Sequence, residues 1–532
     1  MPDRQQHFPR SSGVILHPTS LPGDHGIGDL GEQAHSFVDW LVEAGQSLWQ
    51  VLPLGPTSYG DSPYQTLSAL AGNPLLISLT ELAAEGWLVE EDFAGQPVFS
   101  DDRVEFGGVI SWKFALLDLA WERFKADAGP DDKVALTAFR DQEQVWLRDF
   151  SLFMALKEEN EGRPWVEWPQ EVGRRETTAL AEAAERLQDR VAAHAFRQWV
   201  FMRQWLSLRE YANSKGVRIM GDLPIFVAHD SCDVWARSDL FHLDPTGHPT
   251  VVAGVPPDYF SPTGQLWGNP LYDWQAMAKE DYSWWSERIR LCLRQTDLVR
   301  IDHFRGFDAF WEIQAGAETA INGMWVTGPG GALFEALQRH LGSLPIVAED
   351  LGVITESVEE LRDAFVMPGM KVLQFAWNEP RNPFQPHNHV ANCVVYSGTH
   401  DNDPTRGWWD LECDEDTRNR VRDYVGHGVD EPHWTLIRLG MLSVAHTFVM
   451  PMQDVLGLGR EGRMNLPGAE SGNWDWRMPA WALDPETEPR RRLAHLTWLG
   501  RRRPEQAKSL YEEDKEKAAR EGRAADGLDP AR

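Results

Sequence analysis

Cysteine is scarce: the chain carries four in 532 residues, Cys232, Cys292, Cys393 and Cys413, far apart and with no Cys-x-x-Cys pair. That spacing indicates neither a structural zinc site nor a disulfide framework, and the four read as free thiols. Positive charge is short too. Lys plus Arg number 51 against 81 Asp plus Glu, a formal net charge of −30, which repels nucleic acid and anionic membranes and favours a neutral or cationic partner. No uninterrupted apolar run approaches the roughly 18 residues a membrane span needs, and Met1 to Arg10 has no apolar core segment. The expectation is a cytoplasmic protein that binds neither nucleic acid nor membrane. Tryptophan, by contrast, is abundant at 25; most should pack in the core, and aromatic faces also suit the apolar faces of sugar rings.

The chain is organised around Leu298-Val299-Arg300-Ile301-Asp302-His303-Phe304-Arg305. An apolar, β-branched run that ends in an acid flanked by arginines is how a buried parallel strand delivers a polar group to its C-terminal end. An acid held beside Arg300 stays ionised at neutral pH, because the cation favours the charged form. Asp302 is therefore a candidate nucleophile, with a structural ion pair as the plainer alternative. Leu344 to Gly352 repeats the pattern and brings Glu349 to an equivalent place. Paired carboxylates at neighbouring strand ends are the signature of glycoside chemistry. Cys393 to Asp403 supplies a third acid-rich end at His400-Asp401-Asn402-Asp403. A metal site there is not expected, since hydrolytic metal centres usually draw two or more histidines at clearer spacing. No cofactor is expected either.

Strands near residues 14, 50, 219, 300, 347, 373, 396 and 449, separated by helical patterns, count to eight and predict an α/β fold, a (β/α)8 TIM barrel. The sixth is placed at Lys371 to Phe375. Gly26-Ile27-Gly28-Asp29-Leu30-Gly31 matches a dinucleotide-binding pattern, but the preceding loop is too long and the second strand runs into Pro53-Leu54-Gly55-Pro56 instead of an acid. That reading is rejected. The expected organisation is one catalytic barrel over 1–503, with a helical insertion at about 55–185, a loop-rich insertion at about 228–280, and a charged tail at 504–532.

Two loops and one strand end read as candidate contacts. Thr57 to Gln65 places Tyr59 on a functional rim, or else packs Tyr59 and Tyr64 inward. Asp222, at the end of Val217 to Asp222, is either a partner for sugar hydroxyls or a structural acid orienting the arginines. The stretch from His229 to Trp274 reads as a long structureless lid or binding loop whose Tyr259, Phe260 and Trp267 stack on sugar, with simple loop packing as the alternative.

With these residues in place the chain closely resembles the 4-α-glucanotransferase (amylomaltase, disproportionating enzyme) family of the α-amylase superfamily. The resemblance covers about Gly13 to Arg503 and rests on Ser-Gly-Val-Ile-Leu-His-Pro-Thr-Ser-Leu-Pro, Tyr-Gly-Asp-Ser-Pro-Tyr-Gln, Gly-Asp-Leu-Pro-Ile-Phe-Val, Arg-Ile-Asp-His-Phe-Arg-Gly, Ala-Glu-Asp-Leu-Gly and Gly-Thr-His-Asp-Asn-Asp. It implies retaining transfer of α-1,4-glucan segments from a maltooligosaccharide or amylose donor to an acceptor 4-hydroxyl, cyclisation included. Asp302 would be nucleophile, Glu349 general acid and base, and Asp401 the stabiliser of the distorted sugar. Arg300, His303, His400 and Asp222 would line the donor subsite, Tyr259 and Phe260 would cover the glucan, and Tyr59 would mark a secondary glucan site. Trp267 and Asn465 complete the substrate-binding set. A monomer acting on maltooligosaccharides is expected, with an α-amylase-type hydrolase as the alternative.

Overall fold

The computed structural model describes residues 8–257, 261–469 and 471–503. Twelve strands are present among them: β1 (Ser11–Ile15), β2 (Leu48–Gln50), β3 (Arg218–Pro224), β4 (Val251–Val255), β5 (Gln265–Pro270), β6 (Leu298–Asp302), β7 (Ala309–Gln314), β8 (Met324–Thr327), β9 (Ile346–Ala348), β10 (Gly369–Val372), β11 (Cys393–Tyr396) and β12 (Thr447–Pro451). Eight of them close a parallel barrel in the order β1-β12-β11-β10-β9-β6-β3-β2. The barrel strands are buried on both sides, which is why they read as continuous apolar runs: Leu298, Val299 and Ile301 of β6 and Ile346, Val347 and Ala348 of β9 are all buried. Gly13 is needed where β1 meets β2, because a Cβ there would lie 2.3 Å from the Leu48 carbonyl oxygen.

Helices wrap the strands. The first, Glu32–Glu43, buries Ala34, Phe37 and Leu41. Between β2 and β3 the chain forms a largely helical region that includes Phe106–Asp127, Pro130–Gln142, Gln144–Glu159 and Thr177–Arg186, and ends in the long helix Gln188–Ser214. That helix buries Ala195, Trp199 and Met202, so its aromatic stripe serves the core.

Two readings need correction. The stretch from His229 to Trp274 is not structureless: it holds a short helix, Cys232–Ala236, together with β4 and β5. These two strands join β7 and β8 in a four-stranded antiparallel sheet ordered β5-β4-β7-β8. The pairing of β4 with β7, Val251 opposite Gln314, is long-range, and the short flanking runs broken by Gly and Pro gave no local sign of it. The sixth barrel strand also ends earlier than Phe375. It runs Gly369–Val372, pairing Gly369 with Ala348, and Leu373–Phe375 turns into a 3-10 helix. Leu373 and Gln374 remain buried there, so burial continued the apolar signal after the strand had ended.

The barrel seam between β1 and β12 is closed from the far end of the chain. The buried Arg502 guanidinium donates to the carbonyl oxygens of Ser11 at 2.8 Å, Met441 at 2.9 Å, His446 at 3.0 Å and Ala445 at 3.0 Å. Replacing Arg502 with Met would orphan several buried carbonyls. We expect a loss of about 3 kcal/mol, read as a lowered midpoint of thermal or urea denaturation; an unchanged midpoint would contradict this role.

Candidate active site

Three barrel strands deliver polar groups to one place. Arg300 projects from the middle of β6 and is buried. Its Nη1 donates to Asp222 Oδ2 at 2.6 Å, and its Nη2 donates to Asp302 Oδ1 at 2.8 Å. The adjacent register of β3 and β6, with Asp222 opposite Arg300, sets up the first of these bonds. Asp222 Oδ2 also accepts from the Tyr64 hydroxyl at 2.6 Å. Burial works against the Arg300 cation, but the Asp222 and Asp302 charges outweigh it and hold the group above its ordinary value. Burial pushes the Asp222 carboxyl up, against the pull of Arg300.

Glu349 follows β9, the neighbour of β6. The chain turns sharply after Asp302: His303 is left-handed at φ 56°, ψ 49°, an uncommon and strained conformation for a residue with a side chain. From that turn the His303 amide donates to Glu349 Oε2 at 2.7 Å, while the Leu351 amide donates to Oε1 at 2.8 Å. Both oxygens of Glu349 are therefore fixed, next to the residue that carries the Asp302 carboxylate. Burial raises the Glu349 carboxyl most and the charge of Asp302 raises it further; Arg300 and the two amides oppose them, and the result is a value of about 8. A carboxyl in that state is protonated at neutral pH and can give its proton away.

Asp401 approaches from the loop after β11. Asn465 Nδ2 donates to its Oδ1 at 2.7 Å, and His400 Nε2 lies 3.4 Å from the same oxygen. The His400 ring stacks on Tyr64 with centroids 5.2 Å apart, and Trp474 packs beside both. Trp267 stands edge-on to His303 at 4.8 Å. Burial lowers His303 to about 4, although Asp302 opposes this, so its imidazole is neutral at pH 7. Asp222 Oδ1, His303 Nε2 and His400 Nδ1 are buried and find no hydrogen-bond partner among the described residues. Buried polar atoms are normally paired, which makes these three exceptions.

Of the residues singled out in the sequence, Asp302, Glu349, Asp401, Asp222, Arg300, His303, His400, Trp267 and Asn465 thus belong to one connected set. Tyr59 stands apart, 74 % exposed in the short turn Tyr59–Asp61. Tyr259 and Phe260 lie outside the described residues. Asp222 is bonded through Oδ2 to Arg300 and Tyr64, and its Oδ1 is buried without a partner among the described residues. The sequence reading did not assign Tyr64 to the site, although its own motif contained it, and it missed Trp474 and Arg463 entirely. Arg463 donates to the Asp401 carbonyl oxygen at 2.7 Å, a contact across about sixty residues of chain that no local pattern signals.

A parallel (β/α)8 barrel with paired carboxyls at the C-terminal ends of adjacent strands is the framework of enzymes that break glycosidic bonds. A family model described as 4-alpha-glucanotransferase matches residues 16–483. The 4-alpha-glucanotransferase of Thermus thermophilus is 52% identical over 499 residues, 92% of this chain and 99% of that one. The 4-alpha-glucanotransferase of Synechocystis sp. is 50% identical over 473 residues, covering 88% and 94%. Among solved structures, the amylomaltase from Streptococcus agalactiae in complex with acarbose superposes with a TM-score of 0.89 at 39% identity, covering 93% of this chain and 100% of that one. The chain belongs to the 4-alpha-glucanotransferase family.

The raised Glu349 carboxyl has a consequence for stability. The folded protein binds this proton more tightly than the unfolded chain, whose carboxyl keeps its ordinary 4.5. The stability it contributes is present in full below that value and is lost as pH climbs towards about 8. Glu349→Gln abolishes the titration, so the melting midpoint of the variant relative to wild type should rise between pH 5 and pH 8. A difference independent of pH would contradict the shift.

Proposed function

We propose that the chain transfers α-1,4-glucan segments between maltooligosaccharides by a retaining double displacement, with Asp302 as nucleophile, Glu349 as general acid and base, and Asp401 as the group that holds the distorted sugar. The observation that carries this reading is the junction of β6 and β9. There Glu349 is bonded through the amide next to Asp302 and is held protonated by burial and by the Asp302 charge. Retaining enzymes need two carboxyl groups in close register, one ionised and one protonated.

Protonated Glu349 gives its proton to the glycosidic oxygen while the Asp302 carboxylate attacks C1. The C1–oxygen bond breaks, the leaving glucan departs as an alcohol, and a glucosyl ester forms on Asp302. Esterification removes the negative charge of Asp302, which is one of the causes keeping Glu349 protonated. Glu349 then holds its lost proton less tightly and can act as base on an incoming 4-hydroxyl. That hydroxyl attacks C1, its proton passes to Glu349, and Asp302 leaves as carboxylate. Asp401 and the free atoms of Asp222, His303 and His400 supply polar partners for ring hydroxyls, which strengthen catalysis to the extent that they fit the flattened transition state better than the ground state. Arg300 Nη2, bonded to Asp302 Oδ1 at 2.8 Å, aims the carboxylate for its attack.

The alternative, an α-amylase-type hydrolase, uses the same three acids and differs in whether water or a sugar takes the glucosyl group. Incubation with maltotriose separates the two. Transfer yields glucose together with oligosaccharides longer than maltotriose, and hydrolysis yields shorter products alone. We expect the transfer pattern, a fall in rate of more than about 10³-fold for Asp302→Asn, and an alkaline decline in kcat/KM centred near pH 8, where Glu349 loses its proton. Rearrangement of maltotriose by Asp302→Asn at the wild-type rate would contradict the assignment.

A further inference from the structure

Asp401 sits on a loop beyond the strand end, without the two-amide clamp that fixes Glu349, so what holds it in place is a separate question. The answer lies in the segment after β12. Arg463 uses all three of its nitrogens on this loop pair: Nη2 donates to the Asp401 carbonyl oxygen at 2.7 Å, Nε to the Asn465 carbonyl oxygen at 2.7 Å, and Nη1 to Asp403 Oδ1 at 2.5 Å. Asn465 in turn donates its amide N–H to the His400 carbonyl oxygen at 3.1 Å and its side-chain Nδ2 to Asp401 Oδ1 at 2.7 Å. The orientation of the Asp401 carboxylate therefore depends on Asn465, and the place of Asn465 depends on Arg463.

The arginine itself is anchored. The Asp403 side chain has no exposed surface, and its second oxygen accepts from Arg460 Nε at 2.7 Å. Its backbone oxygen accepts from Gln374 at 2.9 Å. A single π-helical turn, Trp408–Glu412, brings Glu412 to 3.3 Å from Arg460 and 3.6 Å from Arg463; π turns of this kind are frequent near functional sites. Arg460 grips the same Asp403 carboxylate, yet among the described residues its bonds go to Asp403 and Glu412 and to neither Asp401 nor Asn465. The two arginines thus share an anchor and differ in what they touch.

We propose that Arg463 is a positioning residue for the transferase reaction: its fork fixes the loop that carries Asp401 and Asn465, and so sets where Asp401 meets the sugar in the transition state. The proposal rests on the reading of Asp401 given above. A planar guanidinium can serve three acceptors in fixed directions, whereas the ammonium of a lysine is a point charge that cannot reach all three. Misplacement of a reacting constellation by about 1 Å costs about 100-fold in rate.

The test compares Arg463→Met, Arg463→Lys, Arg460→Met and Asp401→Asn in the full chain, measuring kcat and KM for maltotriose disproportionation together with the thermal midpoint. Arg463→Met should lower kcat about 100-fold while KM moves less than about threefold. Arg463→Lys should fold with the Asp403 ion pair kept and still lose at least about tenfold in kcat. Arg460→Met, which loosens the anchor without touching Asp401, should change kcat less than about threefold. Equal losses of kcat in Arg463→Met and Arg460→Met would overturn the proposal, since the effect would then be that of the anchor alone. So would a kcat for Arg463→Lys within threefold of wild type, which decides the matter should Arg463→Met not fold. Asp401→Asn with an undiminished kcat would overturn the reading of Asp401 itself, and the role of Arg463 with it.

Discussion

The carboxyls at the strand ends of this barrel depend on one buried cation. Arg300 lies inside β6, almost fully buried, and is tolerated there because two carboxylates, Asp222 from β3 and Asp302 from β6 itself, take its two terminal nitrogens. An isolated guanidinium in that position would cost several kcal/mol in lost hydration. The arrangement works in both directions. Asp222 and Asp302 keep the cation in place, and the cation lets two negative groups stand close to each other and to Glu349. The remaining imbalance falls on Glu349, the one carboxyl of the set fixed only by backbone amides, and it is there that a proton is retained. Glu349 is the carboxyl that the arginine does not touch, and burial together with the Asp302 charge holds its proton.

The rigid part of the site and its adjustable part are fastened in different ways. Asp302 and Glu349 stand at strand ends, and their positions follow from the parallel register of β3, β6 and β9. Asp401, His400 and Asn465 come from loops, and loops hold functional groups only as well as their own fastenings allow. Here the fastening is a second ionic cluster built on buried Asp403, supported by Asp454, whose carboxylate takes the Ser397 hydroxyl at 2.6 Å and the Thr405 amide at 2.6 Å. The site therefore has two ion-pair centres, one on Arg300 inside the barrel and one on Asp403 in the loops beyond it. Tyr64 spans them, bonded to Asp222 and stacked on His400.

What could be read from the sequence was what short-range physics writes there. Buried parallel strands produce apolar runs, and an acid at the end of such a run stands out, so β6, β9 and the groups they deliver were visible in Leu298 to Asp302 and Leu344 to Glu349. The antiparallel sheet was invisible because β4 and β5 are short and carry Gly254 and Gly268, and because β4 finds its other neighbour, β7, more than fifty residues onward. Tyr64 was ambiguous because a tyrosine in a turn-rich loop packs inward or faces solvent with equal ease, and only the position of Asp222 decides it. Arg463 carried no signal at all: an arginine among glycines and polar residues acquires its role from three acceptors that the fold brings to it. The family resemblance reached the acids and their immediate partners Arg300, His303 and Asn465, and it did not reach Arg463.

The central claim is that Asp302 carries the glucosyl group between donor and acceptor. Its most direct test is to slow the second half of the reaction with Glu349→Gln, supply α-glucosyl fluoride as a donor that leaves without acid assistance, and analyse the digested protein by mass spectrometry. The account predicts one glucosyl unit in ester linkage on the peptide that contains Asp302, released as α-glucosyl azide when azide, a nucleophile that needs no general base, attacks C1 and displaces the Asp302 carboxylate. A glucosyl unit on a different carboxylate, or products of inverted anomeric configuration with no adduct, would contradict it.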